Sequence, residues 1–600
     1  MTRTAYVNRP QIKRTTMTLA LTLAGLWHPL AQAVDLNLGD VAATVHGAVT
    51  LGTSLRTESR DPGLLQAGNG GLVGTDGTAA GGRNSDDGDL NFARGERIST
   101  ALKAVGSIEL KQDNLGLMLR AKAWHDFTLG EADAPFGNAP NGYRAGQPLS
   151  DKGFSARAKF SGAVFQEAYV SASFKPGAMP LSLRLGDQMI PWGGGWSISG
   201  GLSAINAMDL PALRRPGVLP EEVGVPIPAL SARLAISADT RVEAFHQFRF
   251  RATEIDGCGT YFSTYDYLAQ GCNVVFVAGA TDVVGTRFGL YGKRAPTPEV
   301  SNSGQFGLGL NIKAPSLATD FGVYLAQYHS RLPVASAIKS PRGAGGPFLP
   351  GDPDGLNVQY LTEYPEDIRM LGLTFMTKGN NMTLAGELTY RPNQPVALNA
   401  TDLIRAFASN VAPSALRGDA IATAPGGVFH GYDRRHVLQA QLSASGQIKG
   451  LWGAESVSLG GEVGAKYMND LPDPATRRYG RSDIFDIGPV GGVCAGSAIQ
   501  CSDDGYVSKM AWGYRLRVGL RYPNVADQLD LMPALSFAHD VRGWSHDNAF
   551  NEGRRTLGLA LRAAYQKMYL AEISWTPTWG GYYNASRDRS VLSATVGLRF

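Results

Sequence analysis

The sequence predicts an all-β chain, a transmembrane antiparallel β-barrel of about 18 strands (about 16 to 18). Three observations predict it. Apolar residues recur with a period of two, short turns alternate with long loops, and an export leader stands in front. Composition agrees. With 44% hydrophobic residues, 18% charged residues and 74 glycines in 600 residues, one large glycine-rich β architecture fits better than several soluble domains. A mean hydropathy of −0.12, and no apolar run of about 18 residues after the leader, exclude a bundle of membrane helices.

The leader comes first. Arg3, Arg9, Lys13 and Arg14 precede an apolar run over 17–27, which breaks at His28-Pro29 before Ala31-Gln32-Ala33. A basic start, a short apolar middle and small closing residues make 1–33 a cleavable signal peptide, too short to span a bilayer. The mature chain then starts at Val34 and forms one domain, 34–600. The formal charge of +4 is 56 Lys and Arg against 52 Asp and Glu, and the leader's basic residues are the whole surplus. A balanced mature chain has no basic footprint for nucleic acid.

The wall strands follow. Back from Phe600, the residues Leu598, Val596, Ala594 and Leu592 alternate with Arg599, Gly597, Thr595 and Ser593. A terminal aromatic on such a strand resembles the C-terminal signal of bacterial outer-membrane barrels, which their assembly machinery reads. Leu115, Leu117, Leu119, Ala121 and Ala123 alternate with Gly116, Met118, Arg120, Lys122 and Trp124. Similar rows run through 382–391, 457–467 and 514–522, and apolar rows often end in an aromatic, as a lipid-facing band with an interfacial girdle should. Short turns such as 112–114, 175–180, 238–240, 378–381 and 522–527 separate long loops near 57–96, 128–153, 253–302, 330–366, 392–432 and 469–509. The divisions of 154–175 and 553–578 are the two places where the strand count is open. One segment breaks the rhythm. Residues 192–226 are too rich in Gly and Pro for a strand and carry Trp192, Trp196, Ile198, Leu202 and Ile205, so they are expected to fold into the lumen as a plug or constriction.

With the apolar rows outward, Arg120, Lys122, Arg249, Arg515, Arg517 and Arg562 face the lumen with Glu243, Glu387 and Glu462, because charge is costly against lipid. A mixed-charge network stiffening the wall and a selective polar pore are the two readings. For an apolar cargo the substrate-pathway residues are Trp124, Trp192, Trp196 and Phe245, together with Arg120, Arg249, Arg515 and Arg517. Cys258 with Cys272, and Cys494 with Cys501, are spaced as two local disulfides of an oxidising compartment; separations of 14 and 7 fit the alternative four-thiolate zinc site poorly. Asp86-Asp87-Gly88-Asp89 hints at calcium, but without the closing Glu of an EF-hand it is read as a solvated acidic loop, and no metal or cofactor is assigned. No HExxH pair or G-x-S-x-G elbow is present, so an enzyme is not expected.

Several stretches, in order, resemble the DUF1302 family of proteobacterial outer-membrane proteins: 84–92 (NSDDGDLNF), 183–192 (LRLGDQMIPW), 200–209 (GGLSAINAMD), 363–368 (EYPEDI), 386–390 (GELTY), 512–517 (WGYRLR) and 552–554 (EGR). Where the family often carries an acidic residue after Trp-Gly, this chain has Gly194 and Gly195. The resemblance implies a barrel in the outer membrane, surrounded by its lipids, that passes hydrophobic small molecules of lipid, sterol or hydrocarbon type. It also implies a second reading, an outer-membrane component of a lipid-handling or export assembly with a DUF1329-type lipoprotein and an inner-membrane transporter of the resistance–nodulation–division type.

Overall fold

A computed structural model describes residues 34–138, 141–193, 197–342, 346–494 and 496–600, so the signal peptide, Gly194, Gly195 and Trp196 lie outside the described residues. The main sheet has 20 strands. Val34–Leu38 and Thr578–Trp579 are short additions beside the wall, and the other 18 run antiparallel from Val41–Arg56 to Val591–Arg599 and close into a barrel. Closure pairs first strand with last, from Ala48 opposite Arg599 to Arg56 opposite Val591. A closed sheet leaves no edge of unpaired N–H and C=O groups, which is the condition for standing in hydrocarbon.

The seam explains the C-terminus. Phe600 and Gly47 exchange both backbone hydrogen bonds, at 2.8 and 2.9 Å, and the Phe600 ring occupies the space a side chain at position 47 would need. Glycine is therefore the residue that fits there. Beyond that point Val34–Leu38 turns back and pairs with 41–45, covering the part of the first strand that the last one does not reach.

The alternation sorts as the sequence predicts. On Leu115–Asp126 the residues Lys122, Trp124 and Asp126 are buried toward the lumen while Leu115, Ala121 and Ala123 are exposed. Leu325, Leu373, Leu442, Leu516 and Val596 belong to the same exposed outer band, an apolar surface that suits lipid and not water. Tyr467, Tyr565, Tyr569 and Trp575 lie on that surface toward strand ends. The short connections lie at one end of the barrel, together with Val41 and Phe600. Three of those between wall strands are two-residue hairpin turns, and at Asn380-Asn381 both residues take positive φ (46° and 62°), which a tight turn between twisted strands requires. The open divisions resolve as one strand, Ser161–Phe174, and as Arg555–Tyr565 followed by Tyr569–Thr576.

The long connections fill the other end, and here two expectations change. They are not solvated strings but a folded crown. Val274–Phe276, Tyr291–Arg294, Gln359–Glu363, Val334–Ile338 and Val428–Phe429, from three different loops, form a five-stranded sheet. The helix Ala400–Ala408 buries Leu403, Ala406 and Phe407 against it and its surroundings. These pieces are too short to set up a readable period. Disulfides Cys258–Cys272 and Cys494–Cys501 staple two of the loops, with Cα atoms 5.3 and 4.9 Å apart. The second change concerns Arg249. Strand Thr240–Gln247 ends before it, so Arg249 is an exposed crown residue and not part of the lumen wall.

Candidate functional site in the barrel lumen

After Gln188 the chain leaves the wall, and it rejoins at Ile227, which pairs directly with Gln188. The residues between are held by inward side chains from almost opposite sides of the barrel. On one side, Lys103 Nζ donates to Glu222 (2.8 Å) and to the Gly217 carbonyl (2.8 Å), while Lys122 Nζ donates to Asp209 (2.7 Å) and to the Glu222 carbonyl (2.6 Å). Gln166 donates to the carbonyls of Glu222 and Gly224. On the far side, Glu462 accepts from the backbone and hydroxyl of Ser197 (3.0 and 3.1 Å), Lys466 donates to the Ser199 carbonyl (3.0 Å), and Glu387 accepts from the Leu202 N–H (2.7 Å). Arg391 donates to the Gly201 carbonyl, and Arg331 to that of Ile205. A segment with little secondary structure of its own thus has its backbone polar groups satisfied by the wall.

The wall is also shaped for this segment. Inward glycines take the place of side chains where apolar residues dock. A Cβ on Gly307 would stand 2.6 Å from the Trp192 ring, and one on Gly464 would stand 2.8 Å from Ile198. On Gly372 it would run into Leu202. Trp192, 4% exposed, donates from Nε1 to Glu243 (3.0 Å) and lies against Phe245 and Tyr324 at 5.1 and 5.0 Å between ring centroids. Edge-on and tilted rings of this kind pack favourably beyond their buried area.

The sequence-predicted site residues divide. Trp192 and Phe245 meet. Trp124, on the other flank, donates to the Lys159 carbonyl (2.8 Å) and is covered by the Arg215 guanidinium at 4.2 Å, so it too holds the segment in place. Arg120 pairs with Glu167 at 2.6 Å on the neighbouring strand. Arg515 pairs with Asp540 (2.6 Å), and Arg517 lies further along the same inward row. Trp196 lies outside the described residues. Sequence reasoning missed Lys103, Gln166, Glu222 and the docking glycines; the signal was there only as polar or absent side chains on inward rows, with nothing to say what they face.

Two kinds of space remain. Toward the short-turn end a cavity of about 450 Å³ is lined by Arg241, Asn311, Tyr324, Met376, Glu387 and Gln441. In addition, no hydrogen bond or ion pair among the described residues joins the segment to Leu529–Arg542, Arg555–Tyr565 or Tyr569–Thr576. The inward rows there are small (Ser536, Gly558, Ala560, Ser574), with Arg562, paired to Glu572 at 2.6 Å, more than half exposed.

An amphipathic closed barrel, apolar outside, with an internal segment pinned across its lumen defines the class of the protein, a transmembrane β-barrel with a structured interior. The chain belongs to the family described as protein of unknown function DUF1302, whose model matches residues 14–600. Among proteins of curated function, none matches the sequence. Similar solved structures include OccAB1 of Acinetobacter baumannii, 10% identical with a TM-score of 0.40, covering 93% of this chain and 96% of that one. OpdK of Pseudomonas aeruginosa with vanillate is 9% identical with a TM-score of 0.37, covering 93% and 98%. The outer-membrane channel DcaP of Acinetobacter baumannii is 7% identical with a TM-score of 0.34, covering 95% and 100%.

Proposed function

We propose that this protein is an outer-membrane channel for small hydrophobic molecules of lipid, sterol or hydrocarbon type, with the 192–226 segment as its constriction. The carrying observation is where the pinning stops. The segment's described residues are fastened to the wall from Lys103 round to Lys466 and make no hydrogen bond or ion pair to the small-residue rows of 529–576, so passage on this reading follows that slot. The cavity below offers Tyr324 and Met376 beside Arg241 and Asn311, the mixture of apolar wall and a few polar groups that binding sites use. Arg517, on the strand next to the slot, favours cargo that carries an acid group, whereas Arg562 is already paired with Glu572. Trp124, Trp192 and Phe245, expected to line the path, act mainly by packing the constriction.

The test is uptake into proteoliposomes of a medium-chain fatty acid, the matching alcohol and a sugar of similar mass. The expected order is acid, alcohol, sugar. Equal rates, or sugar fastest, would mark a general hydrophilic pore instead. A second reading has its own support: buried ion pairs hold the segment so firmly that cargo movement would need a trigger from outside the barrel. In that reading a DUF1329-type lipoprotein and a resistance–nodulation–division transporter co-purify in mild detergent, and recovery of the barrel alone counts against it.

A further inference from the structure

The acidic run of the first long loop is not solvated. Asp86, Asp87, Asp266 and Asp282 are 0%, 1%, 1% and 2% exposed and come from two crown loops, 57–96 and 248–305. Their backbones are locked together: the Asp266 N–H donates to the Asn84 carbonyl (2.9 Å), and the Asp282 N–H to Asn69 Oδ1 (2.9 Å). Asp86 Oδ2 accepts from the Gln66 N–H (2.9 Å), and Asp282 Oδ1 from Asn69 Nδ2 (2.8 Å). Apart from the approach of the Asp87 and Asp282 carboxyls to one another and of the Asp87 N–H to Asp266, the other six carboxylate oxygens of these four residues have no hydrogen-bond partner. One oxygen from each of Asp86, Asp87 and Asp266 lies within 4.8 Å of the others.

No basic side chain pairs with any of the four among the described residues. Arg83 and Arg589 are near enough to act at longer range. The adjacent Asp89 shows the contrast, since it is paired with Arg56 and faces Arg589 at 4.0 Å. A cluster of this kind has to be neutralised. An ion with metal–oxygen distances of about 2.3–2.6 Å bridges oxygens up to about 5 Å apart, and crowded carboxylates, with the nearby Cys258 and Cys272 sulfurs tied up in a disulfide, are the donor chemistry of calcium.

We propose that Asp86, Asp87 and Asp266, with Asp282 beside Asp87, form a calcium site that clamps crown loop 57–96 to crown loop 248–305. Asp266 and Asp282 lie about 180 residues or more beyond Asp86 in sequence, too far for any linear calcium-loop pattern to collect. Magnesium, which keeps its waters and demands a strict octahedron, is the poorer fit to a site built of crowded carboxylates.

Equilibrium dialysis of the purified full-length barrel, first stripped with EDTA, against labelled calcium chloride tests this directly. The expected result is one ion per chain, not displaced by equal magnesium, and loss of that ion in Asp266→Asn, whose barrel still shows the heat-dependent gel mobility of a folded one. Protease nicking of crown loops 57–96 and 248–305 should slow on adding calcium to the wild type and not to the variant. If Asp266→Asn does not fold, Asp282→Asn serves in its place. No calcium retained by the wild type at millimolar free ion would overturn the proposal. So would retention by the variant equal to wild type, or a variant crown that is more protease-resistant than wild type in calcium, because the carboxylates would then only repel one another.

Discussion

Lys122→Ala should lower the stability of the barrel by about 3–5 kcal/mol, the usual cost of leaving one partner of a buried ion pair alone. Its ammonium and the Asp209 carboxylate are 1% and 0% exposed and 2.7 Å apart, and the same ammonium satisfies the Glu222 carbonyl. Removing it leaves the buried Asp209 carboxylate with only the more distant Arg157, 3.8 Å away, while the Glu222 carbonyl keeps Gln166. Asp209 has a second task, since its other oxygen accepts from the Ala212 N–H and caps Leu210–Arg214. The double variant Lys122→Met/Asp209→Asn, which keeps a capping oxygen and removes the unpaired charge, should therefore regain most of the loss. Thermal unfolding followed by heat-dependent gel mobility reads both. A single variant as stable as wild type would mean that the segment is not fastened at this point.

Arg56→Ala should cost at least as much. The guanidinium is 0% exposed and serves four groups: Asp89, Asp588 Oδ2 at 2.6 Å, and the carbonyls of Glu58 and Phe92 at 2.8 and 2.9 Å. It joins the end of the first strand to the first and last crown loops. Lysine cannot replace it, because a point ammonium lacks the planar fork that reaches two carboxylates at once. Burial, and then the Asp89 charge, push the Asp588 carboxyl up to about 7 even beside Arg56. An acid whose folded form binds its proton more tightly than the unfolded chain is stabilised as pH falls. Arg56→Ala should accordingly recover part of its loss between about pH 8 and pH 5, which melting curves at the two pH values will show. Arg56→Lys matching wild type would contradict the fork argument.

Barrel, strand count and lumen face were legible because one rule, period-two alternation, acts locally and repeats. Arg249 escaped it for the same reason: alternation continues into the loop after the backbone pairing has stopped at Gln247. The constriction was legible as an apolar Gly- and Pro-rich interruption, yet its fastenings were not. Glu387 of the GELTY stretch meets Leu202 of the GGLSAINAMD stretch across 185 residues of chain, and no local pattern encodes that meeting. The crown was the least legible part. Its two- to nine-residue elements are ordered by contacts between loops, and the acidic run at 84–92 is buried by a loop that starts beyond residue 247.

The central claim is that residues 192–226 set the aperture. Since Gln188 and Ile227 are already paired neighbours, a short glycine–serine linker can replace the segment without moving the wall. Single-channel conductance in planar bilayers should then rise on the order of tenfold, toward that of an open barrel of porin size. Unchanged conductance after the replacement, in a barrel shown to be folded, would contradict the account.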